Sequence, residues 1–189
     1  MTNKRIFVAL PLEPVEPAAA KMTELQGWLT AYRIKWVRTE NFHVTIFFFG
    51  EVPEQQLPQI SRLLSRAVQD SSAFSFSLTG PGIFKKGREP RVLWLGIGAT
   101  DPMVELKATI DQSLIAGGFM ADHPFFRPHL TLGRFLAHQE IAPDLGNALK
   151  SIPLSVPIDY QASKLILFES ILFSEGPQYL PLEVFPLGQ

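Results

Sequence analysis

His43-Val44-Thr45-Ile46 and His129-Leu130-Thr131-Leu132 are one four-residue signature met twice: histidine, aliphatic, threonine, aliphatic. Side chains alternate across a β-strand. In each copy His and Thr therefore share one face, while Val44 and Ile46, or Leu130 and Leu132, pack into a core beneath. An imidazole moves a proton near neutral pH, and the hydroxyl beside it donates a hydrogen bond to an anionic oxygen. Two such strands facing one another would hold a phosphate between an acid and a base. Taken singly, each histidine reads as an ordinary sheet residue. With nine Thr and four His in 189 residues, two coincidences at this spacing have a chance probability of about 1%, so the pair is read as a site.

The flanking sequence repeats as well. Ile6 to Leu10 is an apolar run closed by Pro11, as a buried strand is. Ala18, Met22, Leu25, Leu29 and Tyr32 recur at helical spacing, with Pro14 and Pro17 near the start. A short strand over residues 35–39 then leads into the first histidine strand, 43–49. Leu57, Ile60, Leu64 and Ala67 mark a second helix, and Phe74, Phe76 and Leu78 alternate like a half-exposed strand. Residues 81–90, rich in Gly, Pro and basic residues (Lys85, Lys86, Arg88), are expected to form a loop. A strand over 92–97 precedes a helix carried by Met103, Leu106, Ile110 and Leu114, which stops at Gly117-Gly118. The second histidine strand is 129–135. A weaker helix is expected over 139–150, and strands over 164–168 and 179–185. Strand, helix, histidine strand, helix, strand thus occurs twice, which implies a duplicated half-domain rather than a solenoid.

Composition narrows the chemistry. The chain is 46% hydrophobic and 19% charged, with 15 Phe, enough to bury a core with aromatic walls. Its formal charge of −1 supplies no global basic field for nucleic acid, so any RNA contact must be a local patch and a shaped site. Cysteine is absent, which removes disulfides, thiolate metal sites and cysteine nucleophiles, and fits a reducing compartment. Lys4-Arg5 followed by Ile6–Leu10 imitates a signal peptide only until Pro11, Glu13 and Glu16 end the run. No stretch reaches the roughly 18 apolar residues of a membrane span. A cytoplasmic monomer with no membrane contact is expected.

The paired strands, with the residues around them, resemble the 2H phosphoesterases, and among them the RNA 2′,3′-cyclic phosphodiesterases also called 2′-5′ RNA ligases. The resemblance runs through Arg5-Ile6-Phe7-Val8-Ala9-Leu10, Trp36-Val37, Glu40-Asn41-Phe42-His43-Val44-Thr45, Phe49-Gly50-Glu51 and Pro81-Gly82-Ile83-Phe84. It continues through Pro90-Arg91-Val92-Leu93-Trp94-Leu95-Gly96 and is most specific at Phe126-Arg127-Pro128-His129-Leu130-Thr131-Leu132-Gly133-Arg134. Repeat and resemblance together imply an α+β fold in one domain, residues 1–189. It would have two pseudo-symmetric lobes, each a mainly antiparallel sheet with helices on the outer face, and the active-site cleft between them. The sequence halves are about 1–85 and 86–189, and strands can cross between them, so the spatial boundary of the lobes stays open.

The resemblance further implies that His43 and His129 are the catalytic pair, with His43 the leaving-group acid and His129 the base. Thr45 and Thr131 would bind the non-bridging oxygens, and Arg134 would assist them. Strict alternation puts Arg134 on the face opposite His129, so a bulge or strand end at Gly133 must return it. The implied partner is RNA or an oligonucleotide ending in a 2′,3′-cyclic phosphate, opened to a 2′-phosphate; run backwards, the chemistry would join ends through a 2′-5′ linkage. No cofactor and no metal are expected. Phe84 and Lys85, in a basic loop with an aromatic, and Arg127 are candidates for stacking a base and touching flanking phosphates. His123 and His138 lack the Thr and read as surface or structural residues. Three other readings stand beside this one: a small cyclic nucleotide or cyclic phosphate as substrate, a non-catalytic RNA- or nucleotide-binding module, and a zinc hydrolase. The last has no His-x-x-x-His pair to support it.

Overall fold

The computed structural model describes residues 2–87, 89–98, 100–120, 126–137, 142, 144–152, 157–174 and 176–188. Its strands are β1 (Asn3–Pro11), β2 (Ile34–Trp36), β3 (His43–Pro53), β4 (Phe74–Lys86), β5 (Glu89–Gly98), β6 (His129–Phe135), β7 (Ile158–Ala162), β8 (Lys164–Phe173) and β9 (Gly176–Pro186). The helices are α1 (Glu16–Trp28), α2 (Leu57–Val68), α3 (Asp101–Ala116) and α4 (Leu145–Lys150). All the strands join one sheet in the order β7-β4-β5-β6-β3-β1-β8-β9, with β2 paired to β6 off that path. Every pairing between these strands is antiparallel. The α+β class expected from the sequence is the one observed.

The centre of the sheet is its thinnest seam. β3 and β6 share one paired position, Val44 with Leu130, and these are the residues between His and Thr in the two signatures. Beyond it the strands part, and β2 takes β3's place beside β6, aligning Ile34, Lys35 and Trp36 with Phe135, Arg134 and Gly133. A Cβ on residue 133 would fall 2.5 Å from Ile34 Cγ2, so β2 can lie this close only because position 133 is glycine. On either side of the seam the order is mirrored: β3-β1-β8-β9 in one arm, β6-β5-β4-β7 in the other. The arms do not follow the midpoint of the chain. β4 precedes it yet lies beside β5 and β7, while β8 and β9 from the far end complete the arm of β1 and β3.

Burial explains which sequence patterns became which elements. Ile6 through Leu10 are all buried, since β1 lies between β3 and β8 with packing on both faces. Under the seam, Val44, Ile46, Leu130 and Leu132 are 0–2% exposed. The helices bury their periodic faces: Ala18 and Leu25 from α1, Ile60 and Leu64 from α2, Met103, Leu106, Ile110 and Leu114 from α3. α3 stops as its glycines require. Gly118 takes φ +88, Phe119 N–H reaches Leu114 O at 2.9 Å and Gly118 N–H reaches Ile115 O at 3.0 Å, the paired bonds of a Schellman motif.

Three expectations need correcting. Residues 81–90 are not a loop: β4 runs on to Lys86, β5 begins at Glu89, and Gly87 between them takes φ +61. The Gly and Pro are absorbed by register shifts at 78/81 and 84/85, and Gly82 is where the Trp94 ring lies, since a Cβ there would be 2.2 Å from it. α1 ends at Trp28, so Tyr32 packs on the core from beyond the helix. Of the helix expected over 139–150, α4 covers only Leu145–Lys150, and residues 139–141 and 143 lie outside the described residues.

Candidate active site

Each signature histidine is fastened to its own strand entrance. His43 Nδ1 lies 2.7 Å from the carbonyl of Asn41, and His129 Nδ1 lies 2.8 Å from the carbonyl of Arg127, two residues upstream in both cases. A carbonyl only accepts, so Nδ1 carries the proton in each ring and Nε2 is left as the titrating atom. Asn41 is itself pinned by its side-chain Nδ2, which donates to Pro177 O of β9 at 2.9 Å. The two imidazoles are thus held in one tautomer and one orientation before any ligand arrives.

The strands then bulge in register. Ala9 pairs with Thr45 but Val8 with Phe47, leaving Ile46 as an extra residue on β3. Trp94 pairs with Thr131 but Leu93 with Gly133, leaving Leu132 extra on β6. An inserted residue reverses the alternation beyond it. Leu132 and Gly133 are both buried, and Arg134 emerges exposed on the side of His129 and Thr131. The bulge needed to bring Arg134 round is present, centred one residue before Gly133. The same insertion on β3 brings out Phe48 at the matching place.

A pocket between the arms collects these groups. It is lined by His43, Thr45, His129, Thr131 and Arg134, the residues that the sequence singled out, and also by Arg5, Phe7, Lys35, Trp36, Arg38, Asn41, Phe48, Ser170 and Tyr179. The second set comes mainly from β1, β2, β8 and β9. Apart from Asn41, two residues before His43, nothing local announced these residues as neighbours of the histidines, although Arg5, Phe7 and Trp36 stand in strings of the resemblance. Phe84, Lys85 and Arg127 do not line the pocket. Phe84 stands edge-on to the His129 ring at 4.7 Å, and the Arg127 guanidinium lies 5.4 Å above Phe84 and 5.1 Å above Trp94. Both therefore stand beside His129, and Lys85 is exposed at the end of β4. Arg88, His123 and His138 lie outside the described residues.

Aromatic walls set the electrostatics. His43 has Phe7 at 4.9 Å, Tyr179 at 5.1 Å and Phe168 at 6.5 Å. Burial among these rings pushes its pKa down to about 4; the Asn41 carbonyl opposes the shift, while His129 and Arg134 add to it. His129 is also lowered, first by burial, with the Arg127 carbonyl opposing and the charges of Arg127 and Arg134 assisting. Both rings are therefore neutral in the free protein at pH 7, and an anion placed between them would favour protonation of either. Among the described residues no Asp or Glu lines the pocket. Among them, too, no three His, Cys, Asp or Glu are grouped as metal ligands would be, and no helix is long and apolar enough to cross a membrane.

Comparison with known proteins identifies the family. A curated RNA 2′,3′-cyclic phosphodiesterase from Thermotoga maritima is 33% identical over 176 residues, 93% of this chain and 91% of that one. One of the same name from Archaeoglobus fulgidus is 30% identical, with coverages of 96% and 99%. A crystal structure from Thermus thermophilus superposes with TM-score 0.79 at 27% identity, covering 98% of this chain and 99% of the other. Escherichia coli LigT, solved with 3′-AMP, shares the fold at TM-score 0.75 and 22% identity over both whole chains. The family model described as the 2′-5′ RNA ligase superfamily matches residues 14–165, and the chain belongs to that superfamily.

Proposed function

We propose that this protein opens the 2′,3′-cyclic phosphate at an RNA end to a 2′-phosphate, with His43 and His129 as its acid–base pair and no metal taking part. The observation that carries the reading is the mirrored geometry: two imidazoles, each with Nδ1 tied to a carbonyl and Nε2 free, line one pocket with two threonines and an arginine. The name shared by the relatives supports the substrate. One neutral imidazole takes a proton from the attacking water as its oxygen bonds to phosphorus. The bond from phosphorus to the 3′ oxygen breaks, and the protonated imidazole gives that oxygen its proton. Thr45, Thr131 and Arg134 donate to the non-bridging oxygens as they gain charge.

Family likeness makes His43 the acid, yet burial leaves it neutral in the free protein. The substrate resolves this: its phosphate anion between the rings stabilises the imidazolium, so the acid gains its proton when the ligand binds. With a 5′-hydroxyl RNA end in place of water as the nucleophile, the same displacement makes a 2′-5′ linkage. The protein is proposed to act as a cytoplasmic monomer, with the two arms of the sheet as its functional halves.

The test is incubation of EDTA-treated protein with a short oligoribonucleotide ending in a 2′,3′-cyclic phosphate. Conversion to the 2′-phosphate is expected. Activity lost to chelation and restored by one divalent ion would sink the two-histidine mechanism. Tight binding of a 2′-phosphate end without any turnover would leave a binding module.

A further inference from the structure

The pocket holds more positive charge than a single cyclic phosphate needs. Arg5, Lys35, Arg38 and Arg134 line it together with the two histidines, against no carboxylate among the described residues, in a chain whose net charge is −1. Two of these cations are engaged elsewhere: Arg38 is paired with Glu40 at 2.5 Å, and Lys35 Nζ donates to Ser174 O at 3.1 Å. Arg134 sits beside the histidines. Arg5 remains, exposed and without an ion pair among the described residues.

Arg5 is nonetheless held in place. Its guanidinium stacks 4.7 Å above the Phe48 ring, and Phe48 occupies on β3 the place that Arg134 occupies on β6. Arg5 and Phe7 share a face of β1, separated by about 7 Å along the strand, and Phe7 touches the His43 ring. Tyr179 packs on both Phe7 and His43 and lines the pocket together with Arg5 and Arg134. A stacked guanidinium keeps its N–H edge free for a phosphate and loses little freedom on binding one.

Building on the cyclic-phosphate reading, we propose that Arg5, steadied on Phe48, binds a second phosphate of the substrate. This is the phosphate on the 5′ oxygen of the nucleotide whose cyclic phosphate is opened. Either an internucleotide link of RNA or a 5′-terminal phosphate supplies that chemistry. The site then prefers a nucleotide phosphorylated on both sides of its ribose over a bare nucleoside cyclic phosphate.

Three substrates test it: uridine 2′,3′-cyclic phosphate, its 5′-phosphorylated form, and the dinucleotide of two uridines ending in the cyclic phosphate. For the wild type, kcat/KM should be about tenfold higher for each of the latter two than for the first, the scale of one charge-assisted hydrogen bond, and the advantage should shrink with added salt. Arg5→Ala, shown folded by thermal unfolding, should bring both ratios close to one, and Arg5→Lys should restore part of them. A gain for the dinucleotide alone would trace the preference to the second base and overturn the phosphate assignment. A ratio near one in the wild type, or one that survives in Arg5→Ala, would overturn it too. If the wild type turned over none of the three, the cyclic-phosphate reading would fail by itself. Titration with uridine 2′-phosphate and uridine 2′,5′-bisphosphate would still decide the subsite: the bisphosphate should bind about tenfold tighter, and in Arg5→Ala it should not.

Discussion

The strands β3 and β6 are built from the same parts and do not do the same thing. Each ties its histidine to the carbonyl two residues upstream, each bulges directly after its threonine, and each buries aliphatics beneath. The differences lie past the bulge and around the ring. Past the bulge β3 presents Phe48 and β6 presents Arg134. His43 is enclosed by Phe7, Phe168 and Tyr179, while His129 meets Phe84 and Trp94. Duplication supplies two alike imidazoles, but a displacement at phosphorus needs an acid, a base and one side on which charge is gathered. In the proposed mechanism, the unlike residues around the seam give the site that direction.

The harshest way to break the comparison is to remove one ring at a time. His43→Ala and His129→Ala should each lower turnover by about 10²–10⁴. The double variant should lose much less than the product of the two, because an acid without its base contributes little. Affinity for a 2′-phosphate product should fall far less than turnover in all three proteins. A folded single variant that hydrolyses at near the wild-type rate would remove the pairing and leave a phosphate-binding pocket.

Next in size comes the unlike position past the bulge. Arg134→Ala should cost about 10²–10³ in kcat, the range for losing one preorganised donor, with Thr45→Ala and Thr131→Ala losing activity in the same direction. Phe48→Leu, at the matching place on β3, should cost less than Arg134→Ala, since it removes no donor to the reacting phosphate. If Arg134→Ala and Phe48→Leu cost the same, the bulge on β6 has no functional consequence and the arms are equivalent after all.

How much of this could be read from the chain depended on the range of each interaction. His43, Thr45, His129 and Thr131 were legible because alternation within a strand is local and the copy repeats it. Arg134 was half legible: simple alternation puts it on the wrong face, and Gly133 hinted at the irregularity that corrects it. Arg5, Phe48 and Tyr179 meet only because β1, β3, β8 and β9 are neighbours in the sheet, an order that no local pattern carries. Residues 81–90 misled for the opposite reason. Their Gly and Pro signal a turn locally, while pairing with β5 and the close approach of Trp94 to Gly82 extend the strand. The repeat left open how the strands divide between the arms, and that division is read only from the sheet order.

The smallest expected effect separates the two histidines without any substrate. The pKa of His43 falls from 6.5 to about 4 on folding because its ring is buried among aromatics. Between those values the unfolded chain takes up a proton that the folded one refuses, so unfolding binds a proton and stability declines as pH falls. The contribution is fully present above pH 6.5 and gone once pH drops through the folded value. Between pH 7 and pH 5 it amounts to at most about 2 kcal/mol. Carboxylates titrate in the same range, so the informative quantity is a difference: His43→Asn should lose less stability than the wild type over this interval in urea unfolding. His129→Asn, whose ring is shifted in the same direction, should also flatten the slope, but by a smaller amount. Identical slopes in the wild type and His43→Asn would show that its aromatic surroundings do not hold His43 neutral. With the ordinary value of 6.5, the ring would then be half protonated at that pH before the substrate arrives.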